Sequence, residues 1–400
     1  MRSGMNVTRK ITADEVSAHA KRWIQPYLNL KDSGRKCSAE VVLGILFLAA
    51  SKLCSVFAAC RDLAKAPSDQ AIRDALSSQL PNIKELERRL NAALMAPVPK
   101  SVFRRRRDVA VDLTLIPYHG KPEQDPDELY HSLAKSGTTK FHGYATLCVI
   151  HDGFRYTLAL TRVSKGEKMP AVLKRLLRQA RSQGLKIRVL LLDRGFFSTE
   201  VIDHSKRSRT PFLMPVMFRG RKPTDPKKLA ASLHQFKKKA SGWFTFVLSG
   251  KGGRQHVKIC VSAKYYVHEK SGKKRLKRMV FACWEPPKSR VLCRDAAEIR
   301  EWYRCRFAIE TSYRQMHQAR VRTCTRSPLL RLLFFGLALI LRNVWVWLHY
   351  FIFADKKGEA PTLRLELLRF RRMLDWIADV VRQKLHDGSP PEMQWIPGTQ

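Results

Sequence analysis

The stretch from residue 108 to 208 most constrains what this chain can fold into, because its apolar runs follow one another in a set order. Asp108–Ile116 (DVAVDLTLI) is β-branched and mostly apolar, the composition of a strand. Tyr144–His151 and Phe154–Val163 flank Asp152-Gly153, a two-residue hairpin signal. Met169–Gln183 has the periodicity of an amphipathic helix, and Gly184 supplies its C-terminal stop. Ile187–Leu192 (IRVLLL) is a short apolar strand of the kind buried in parallel sheets. Asp193-Arg194-Gly195 then leads into a helix near Ser198–Ser208.

The order strand, strand, strand, helix, strand, helix predicts an α/β fold with a ribonuclease-H-like mixed-sheet core, whose first part spans 101–214. An all-helical N-terminal domain, 1–100, is predicted to precede it. There, Thr12-Ala13-Asp14-Glu15 opens a helix, and Ala39 to Cys60, rich in Ala, Leu and Val, is a candidate buried helix. Ser55–Lys65 and Gln70–Leu80 flank Ala66-Pro67-Ser68-Asp69, which suits either a helix-turn-helix or an ordinary helical hairpin. Residues 215–290 break the pattern with three strand-like runs, Trp243–Ser249, His256–His268 and Leu276–Trp284, and read as a basic, β-rich insertion. The core resumes over 291–355. A helix runs from Asp295, with Glu298 as its capping-box partner, to about Arg320, and an apolar helix follows at 329–353. Arg331 and Arg342 leave that helix an uncharged run of only Leu332 to Leu341. A membrane span needs roughly 20 apolar residues, so a buried core helix is the reading and no membrane partner is expected. A tail, 356–400, holds one basic helix at about Leu363–Leu385. The nine cysteines are scattered without a CxxC pair, which argues against a zinc ribbon and for reduced thiols.

Charge narrows the partner. The chain carries 75 Lys+Arg against 34 Asp+Glu, a net charge of +41, so its natural counterpart is a polyanion, nucleic acid before any other. Arg104, Arg105, Arg106 and Arg107 lie between the helical region and the first core strand, where they suit phosphate contact, and Arg73 is expected on the outer face of its helix. Against this background an acid within an apolar strand is informative. Asp112 lies in Val109–Leu115, and Asp193 ends Val189–Leu192, at the carboxyl end where parallel sheets place their sites. Tyr303, Arg306 and Glu310 are spaced 3 and 4 apart, and His317 lies seven further on, so one helix face presents all four. Three acids suit Mg²⁺ or Mn²⁺, two ions roughly 4 Å apart, for in-line phosphoryl transfer. Asp112 would bridge the ions while Asp193 and Glu310 complete one each, with Arg306 and Tyr303 beside them to hold phosphates.

In these motifs the chain resembles the DDE transposases of prokaryotic insertion sequences, in the branch whose third motif is Tyr-x2-Arg-x3-Glu-x6-Lys. Tyr303, Arg306 and Glu310 match it in register. Asp193-Arg194-Gly195-Phe196 resembles the second motif and Val111-Asp112-Leu113-Thr114 the first, with gaps of 193 − 112 = 81 and 310 − 193 = 117 residues. The resemblance implies a DNA transposase that binds terminal inverted repeats and target DNA. It implies metal-dependent strand cleavage and strand transfer by a cut-and-paste route, in a homodimer holding two DNA ends. It further implies a cytoplasmic, nucleoid-associated protein. The motif lysine is His317 here, which stays a candidate for the DNA contact, and Arg314 or Arg320, a turn away, are the alternatives. Trp243, in the insertion, is the base-stacking candidate. Two alternatives stay open: a metal-dependent endonuclease without strand transfer, and a non-catalytic DNA-binding relic of a transposase.

Overall fold

Local caps set the first elements. The Thr12 hydroxyl accepts the Glu15 amide at 3.2 Å while the Glu15 carboxylate takes the Thr12 amide at 2.8 Å, a reciprocal capping box that starts α1 (Ala13–Arg22) directly after the short strand β1 (Arg9–Thr12). Ser38, Ser55, Ser68 and Asn82 cap four of the helices that follow. These helices are α2 (Gln25–Leu28), α3 (Ala39–Lys52), α4 (Val56–Arg61), α5 (Asp69–Gln79), α6 (Ile83–Met95) and α7 (Ser101–Arg104). The computed structural model describes residues 9–34, 36–151, 154–269, 272–353, 363–385 and 392–395, with the side chains of 9, 151, 307–313 and 392–395 outside that description.

From residue 107 the chain builds a nine-stranded mixed sheet. Its elements are β2 (Arg107–Pro117), β3 (Tyr130–Lys135), β4 (Thr138–His151), β5 (Phe154–Val163), α8 (Met169–Ser182), β6 (Ile187–Leu192), α9 (Thr199–Arg207), β7 (Phe212–Pro215), α10 (Pro226–Ala230), β8 (Gly242–Gly250), β9 (Gly253–Val267) and β10 (Lys274–Trp284). The strand order is β3-β4-β2-β6-β7-β10-β9-β8, with β5 also on β4. β2 pairs antiparallel with β4 and parallel with β6, and β6 is parallel to β7. Then come α11 (Ala296–Met316), α12 (Pro328–Phe351), α13 (Phe370–Leu385) and β11 (Glu392–Trp395).

Four expectations change at this level. The N-terminal region is not purely helical, because β1 pairs antiparallel with β11 and joins the two ends of the chain. The run from Ala39 to Cys60 is two helices, broken where Leu53 adopts a left-handed conformation. α4 is six residues long and residues 62–68 separate it from α5, a longer connector than the 3–4-residue turn of a helix-turn-helix. The strands of the 215–290 block do not stand apart: β10 pairs with β7, so β8–β10 extend the same sheet. The hairpin turn Asp152-Gly153 lies outside the described residues.

Helix α12 is long and apolar enough to cross a membrane by composition, yet most of it is buried within the protein. Its polar side chains explain why it belongs there. Asn343 is fully buried and bridges two elements: its amide donates to the carbonyls of Leu94 at 3.0 Å and Thr157 at 2.8 Å, and its carbonyl accepts the Thr157 amide at 3.0 Å. Arg342 donates to the Arg155 carbonyl at 2.8 Å, and Trp345 and His349 both reach the Leu368 carbonyl at 2.9 Å. Burial pushes the His349 pKa down to about 4, so it serves as a neutral hydrogen-bonding group. Asn343→Leu keeps the branched heavy-atom skeleton but strands buried backbone partners, and is expected to cost at least about 2 kcal/mol of stability in a urea titration.

Candidate active site

The site begins with strand register. In the parallel pair, Val111 lies opposite Leu192, so the next residues, Asp112 and Asp193, emerge side by side. Neighbouring strands run about 4.8 Å apart, close enough for the two carboxylates to share a cation. β6 stops at Leu192, whereas β2 runs on to Pro117, so Asp112 sits at the edge where its parallel neighbour ends. Asp112 is largely enclosed, with its side chain 16% exposed, and its Oδ1 accepts the Leu113 amide at 2.9 Å. Asp193 is 42% exposed and opens a tight turn in which the Phe196 amide bonds back to its carbonyl at 3.0 Å. Phe196 and Phe197 are buried there and fix the turn on the core.

Helix α11 packs along β2 and β6 through three successive contacts that lead towards the aspartates. Trp302 donates its indole N–H to Asp108 Oδ2 at 2.7 Å. Tyr303 donates its hydroxyl to the Leu192 carbonyl at 2.9 Å, at the residue just before Asp193. Arg306 places Nη2 3.1 Å from Asp193 Oδ1 and Nη1 4.0 Å from Asp112 Oδ1. Its side chain is only 4% exposed. Burial works against the guanidinium's charge, but Tyr303, Asp193 and Asp112 outweigh it and hold the pKa above its ordinary value. Burial likewise drives the Tyr303 phenol upward, so it stays protonated.

These positions revise the roles read for the helix. Tyr303 and Arg306 are buried rather than exposed on the helix face. Tyr303 is buried and pins the helix to β6, while Arg306 neutralises the two aspartates from within. Glu310 follows Arg306 by one helical turn on α11, and its side chain lies outside the described residues. α11 ends at Met316, so His317 opens a short 3-10 turn and leaves the helical face. His317 is exposed, and desolvation by the surrounding protein followed by the charges of Arg320 and Lys135 lowers its pKa below the usual histidine value, so at physiological pH it carries less positive charge than a lysine would. Arg314 is exposed and Arg320 half-buried nearby.

The remaining candidates sit apart from the aspartates. Arg104, Arg105 and Arg106 are exposed, whereas Arg107 is spent on the carbonyls of Ser101 at 2.8 Å and Val102 at 3.1 Å. Arg73 is exposed and pairs with Asp69, which tempers its charge. Trp243 is half-buried, donates its indole N–H to the Arg294 carbonyl at 2.8 Å, and lines a cleft of about 890 Å³ with Phe236 and Phe244.

Asp108 is the residue that sequence reasoning passed over. It is buried, ion-paired with Arg188 and bonded to Trp302, whose ring also lies under Arg188 and Arg294. Asp108 thus positions the first half of α11 over the sheet. The available signal was a second acid in the same strand, four residues before Asp112.

Among the described residues no three metal-capable side chains converge, since the third expected ligand is Glu310. The donors in place, two carboxylates at adjacent strand ends, are the hard oxygen ligands that Mg²⁺ or Mn²⁺ prefer.

Two aspartates at adjacent parallel strand ends, with the helix that carries Arg306 and Glu310 packed across the strands, form the candidate site. Residues 104–344 match the family model of the transposase DDE domain, more than half of the chain, and the protein belongs to that family. Its members are nucleotidyl-transfer enzymes that act on DNA, and their DDE domains generally use divalent metal ions. The fold is similar to that of the piggyBac transposase in a cryo-EM synaptic complex with hairpin DNA. The TM-score is 0.51 at 11% identity, covering 93% of this chain and 78% of that one. No curated protein matches in sequence.

Proposed function

We propose that the protein is an insertion-sequence transposase that binds terminal inverted repeats and performs cut-and-paste transposition through metal-dependent strand cleavage and strand transfer. The observation that carries this reading is the register that sets Asp112 beside Asp193. The order β5-β4-β2-β6-β7, three antiparallel strands followed by two parallel ones, supports a ribonuclease-H-like core. Asp112, Asp193 and Glu310 are the proposed catalytic residues and would hold Mg²⁺ or Mn²⁺, as two ions. The chemistry such ions supply is activation of the attacking oxygen and stabilisation of the leaving oxygen.

The chain's own residues do the rest. Asp108 and Tyr303 hold α11, the helix that carries Glu310, against the strands that carry the two aspartates. Arg306 sets a positive charge against both carboxylates. Arg104, Arg105, Arg106, Arg73, Arg314 and Arg320 supply the surface charge that draws DNA in, with binding that falls steeply as salt rises. Trp243, half-buried beside two phenylalanines, is the proposed stacking surface. A homodimer holding two ends, in the cytoplasm at the nucleoid, completes the proposal.

The test is incubation with DNA bearing the inverted repeats that flank the gene. Joined products with 3′-hydroxyls attached to target DNA are expected. Cleavage without joining would make the protein an endonuclease, and binding alone would make it a relic.

A further inference from the structure

A second feature lies along the strand that carries Asp112. Across β2 and β4, Asp112 faces Thr146, Thr114 faces Tyr144, and Ile116 faces His142. Residues two apart share a face of a sheet, so these pairs form one row leading away from the carboxylates. The row ends, about 13 Å from Asp112 at 3.3 Å per residue, in a cleft of about 640 Å³. One wall is the turn after β2, with Tyr118 and Lys121. The other is the segment between α11 and α12, tied back by the Arg322 amide to the Cys54 carbonyl at 3.0 Å.

The cleft is strongly cationic. Lys121, Arg320, Arg322, Arg326 and Arg331 line it, and no carboxylate does among the described residues. Arg331 is fixed in place: it donates to the Thr325 carbonyl at 2.7 Å and lies over the Tyr118 ring at 4.6 Å. The other four make no ion pair among the described residues, although acids neutralise many cations elsewhere in the chain. Burial, followed by repulsion from Arg322, lowers the pKa of Arg320, the mark of positive charge held without a counterion. Arg326 and Arg331 flank the first turn of α12, a 24-residue helix whose N-terminal dipole adds to the positive potential.

One buried group here also lacks a partner. His142 is 3% exposed and lines the cleft against the edge of Tyr118, with its Nε2 unbonded. Burial, with Arg331 and Arg162 nearby, pushes its pKa down to about 3, so it is a neutral imidazole with hydrogen-bonding capacity unused. A buried polar atom is costly unless a ligand or water satisfies it.

We propose that this cleft is a phosphodiester-binding subsite that holds the backbone of the DNA strand leading away from the reacting phosphate, with Arg320, Arg322, Arg326 and Lys121 as its ligands and His142 as a neutral donor. It rests on the transposase reading for the identity of the strand. Its position on the Asp112 row makes it a positioning site: the strand is gripped a fixed distance from the carboxylates.

Cys324 gives a direct readout, because it is exposed and lines the same cleft. Wild-type protein is mixed, without divalent metal, with a fluorescein-labelled mixed-sequence DNA duplex carrying a single-stranded 3′ extension. At DNA ten times above the Kd from anisotropy, Cys324 alkylation followed by mass spectrometry should slow about tenfold, as the free fraction falls. An unchanged rate overturns the proposal. In parallel, Arg322→Gln with Arg326→Gln should flatten the log Kd against log salt slope by roughly 0.7–0.9 per cation removed. Lys227→Gln with Lys228→Gln, exposed on α10, is the equal-charge control, and an equal effect from that pair also overturns it. A protein that joins DNA ends yet leaves Cys324 unprotected refutes the cleft alone. One that protects Cys324 yet never cleaves refutes the transposase reading alone.

Discussion

Replacing Asp112 with asparagine is expected to lower DNA cleavage by about a thousandfold or more, because metal-ion stabilisation of phosphoryl transfer is worth several kcal/mol and each 1.36 kcal/mol is one decade of rate. The amide still accepts the Leu113 N–H that Asp112 accepts at 2.9 Å, so the strand end keeps its shape. What disappears is the charge. DNA affinity, measured by anisotropy without metal, should stay level or rise slightly, since a protein at +41 loses one of its few acids. Weak binding together with weak cleavage would instead place Asp112 in the fold rather than in the chemistry.

The second large effect falls on stability. Arg306 is 4% exposed and stands between Asp193 and Asp112. Asp112 is largely enclosed and loses a neighbouring cation, whereas Asp193 is 42% exposed and water can take up part of its loss, so Arg306→Ala should destabilise the protein by about 1–3 kcal/mol at neutral pH. The measurement is a urea titration followed by tryptophan fluorescence. A distinctive second result should accompany it. With the guanidinium gone, the carboxylates lose the positive charge it sets against them, and added Mn²⁺ should raise the variant's Tm more than the wild type's, by mass action on the folded state. An equal rise in both would mean that Arg306 and the metal do not share ligands. Arg306→Lys should recover part of the stability, since an ammonium keeps the charge but loses the planar fork.

Much of the core was legible because its signals are local. Strand patterns over 108–116, 144–163 and 187–192 became β2, β4, β5 and β6, and Ile187–Leu192 kept its bounds. Asp112 and Asp193 stood out because acids are scarce and both follow apolar runs. The capping signature at Asp295 did start α11: its carboxylate accepts the amides of Ala297 and Glu298. The parts that escaped depend on distant partners. Nothing in Phe212–Pro215 announces that β10 will pair with it and carry the 215–290 strands into the main sheet. The pairing of β1 with β11 joins residues from opposite ends of the chain. Helical spacing put Arg306 on a polar face but could not say whether that face met water, DNA or a carboxylate pair. The cleft beyond Ile116 escaped for the same reason, because its cations come from two segments about 200 residues apart in sequence, Lys121 and Arg320–Arg331.

The central claim is that Asp112 and Asp193 act together as ligands for the ion that drives the chemistry, and one substitution tests it most directly. Asp193 is partly exposed, so Asp193→Cys can be made without emptying the core. A thiolate is a poor ligand for Mg²⁺ and a better one for softer ions. Cleavage at the element ends by Asp193→Cys should therefore be lost in Mg²⁺ and recovered in Mn²⁺, with the wild type active in both. Full activity of the variant in Mg²⁺ would contradict the account, because the carboxylate at the end of β6 would then have no part in holding the metal.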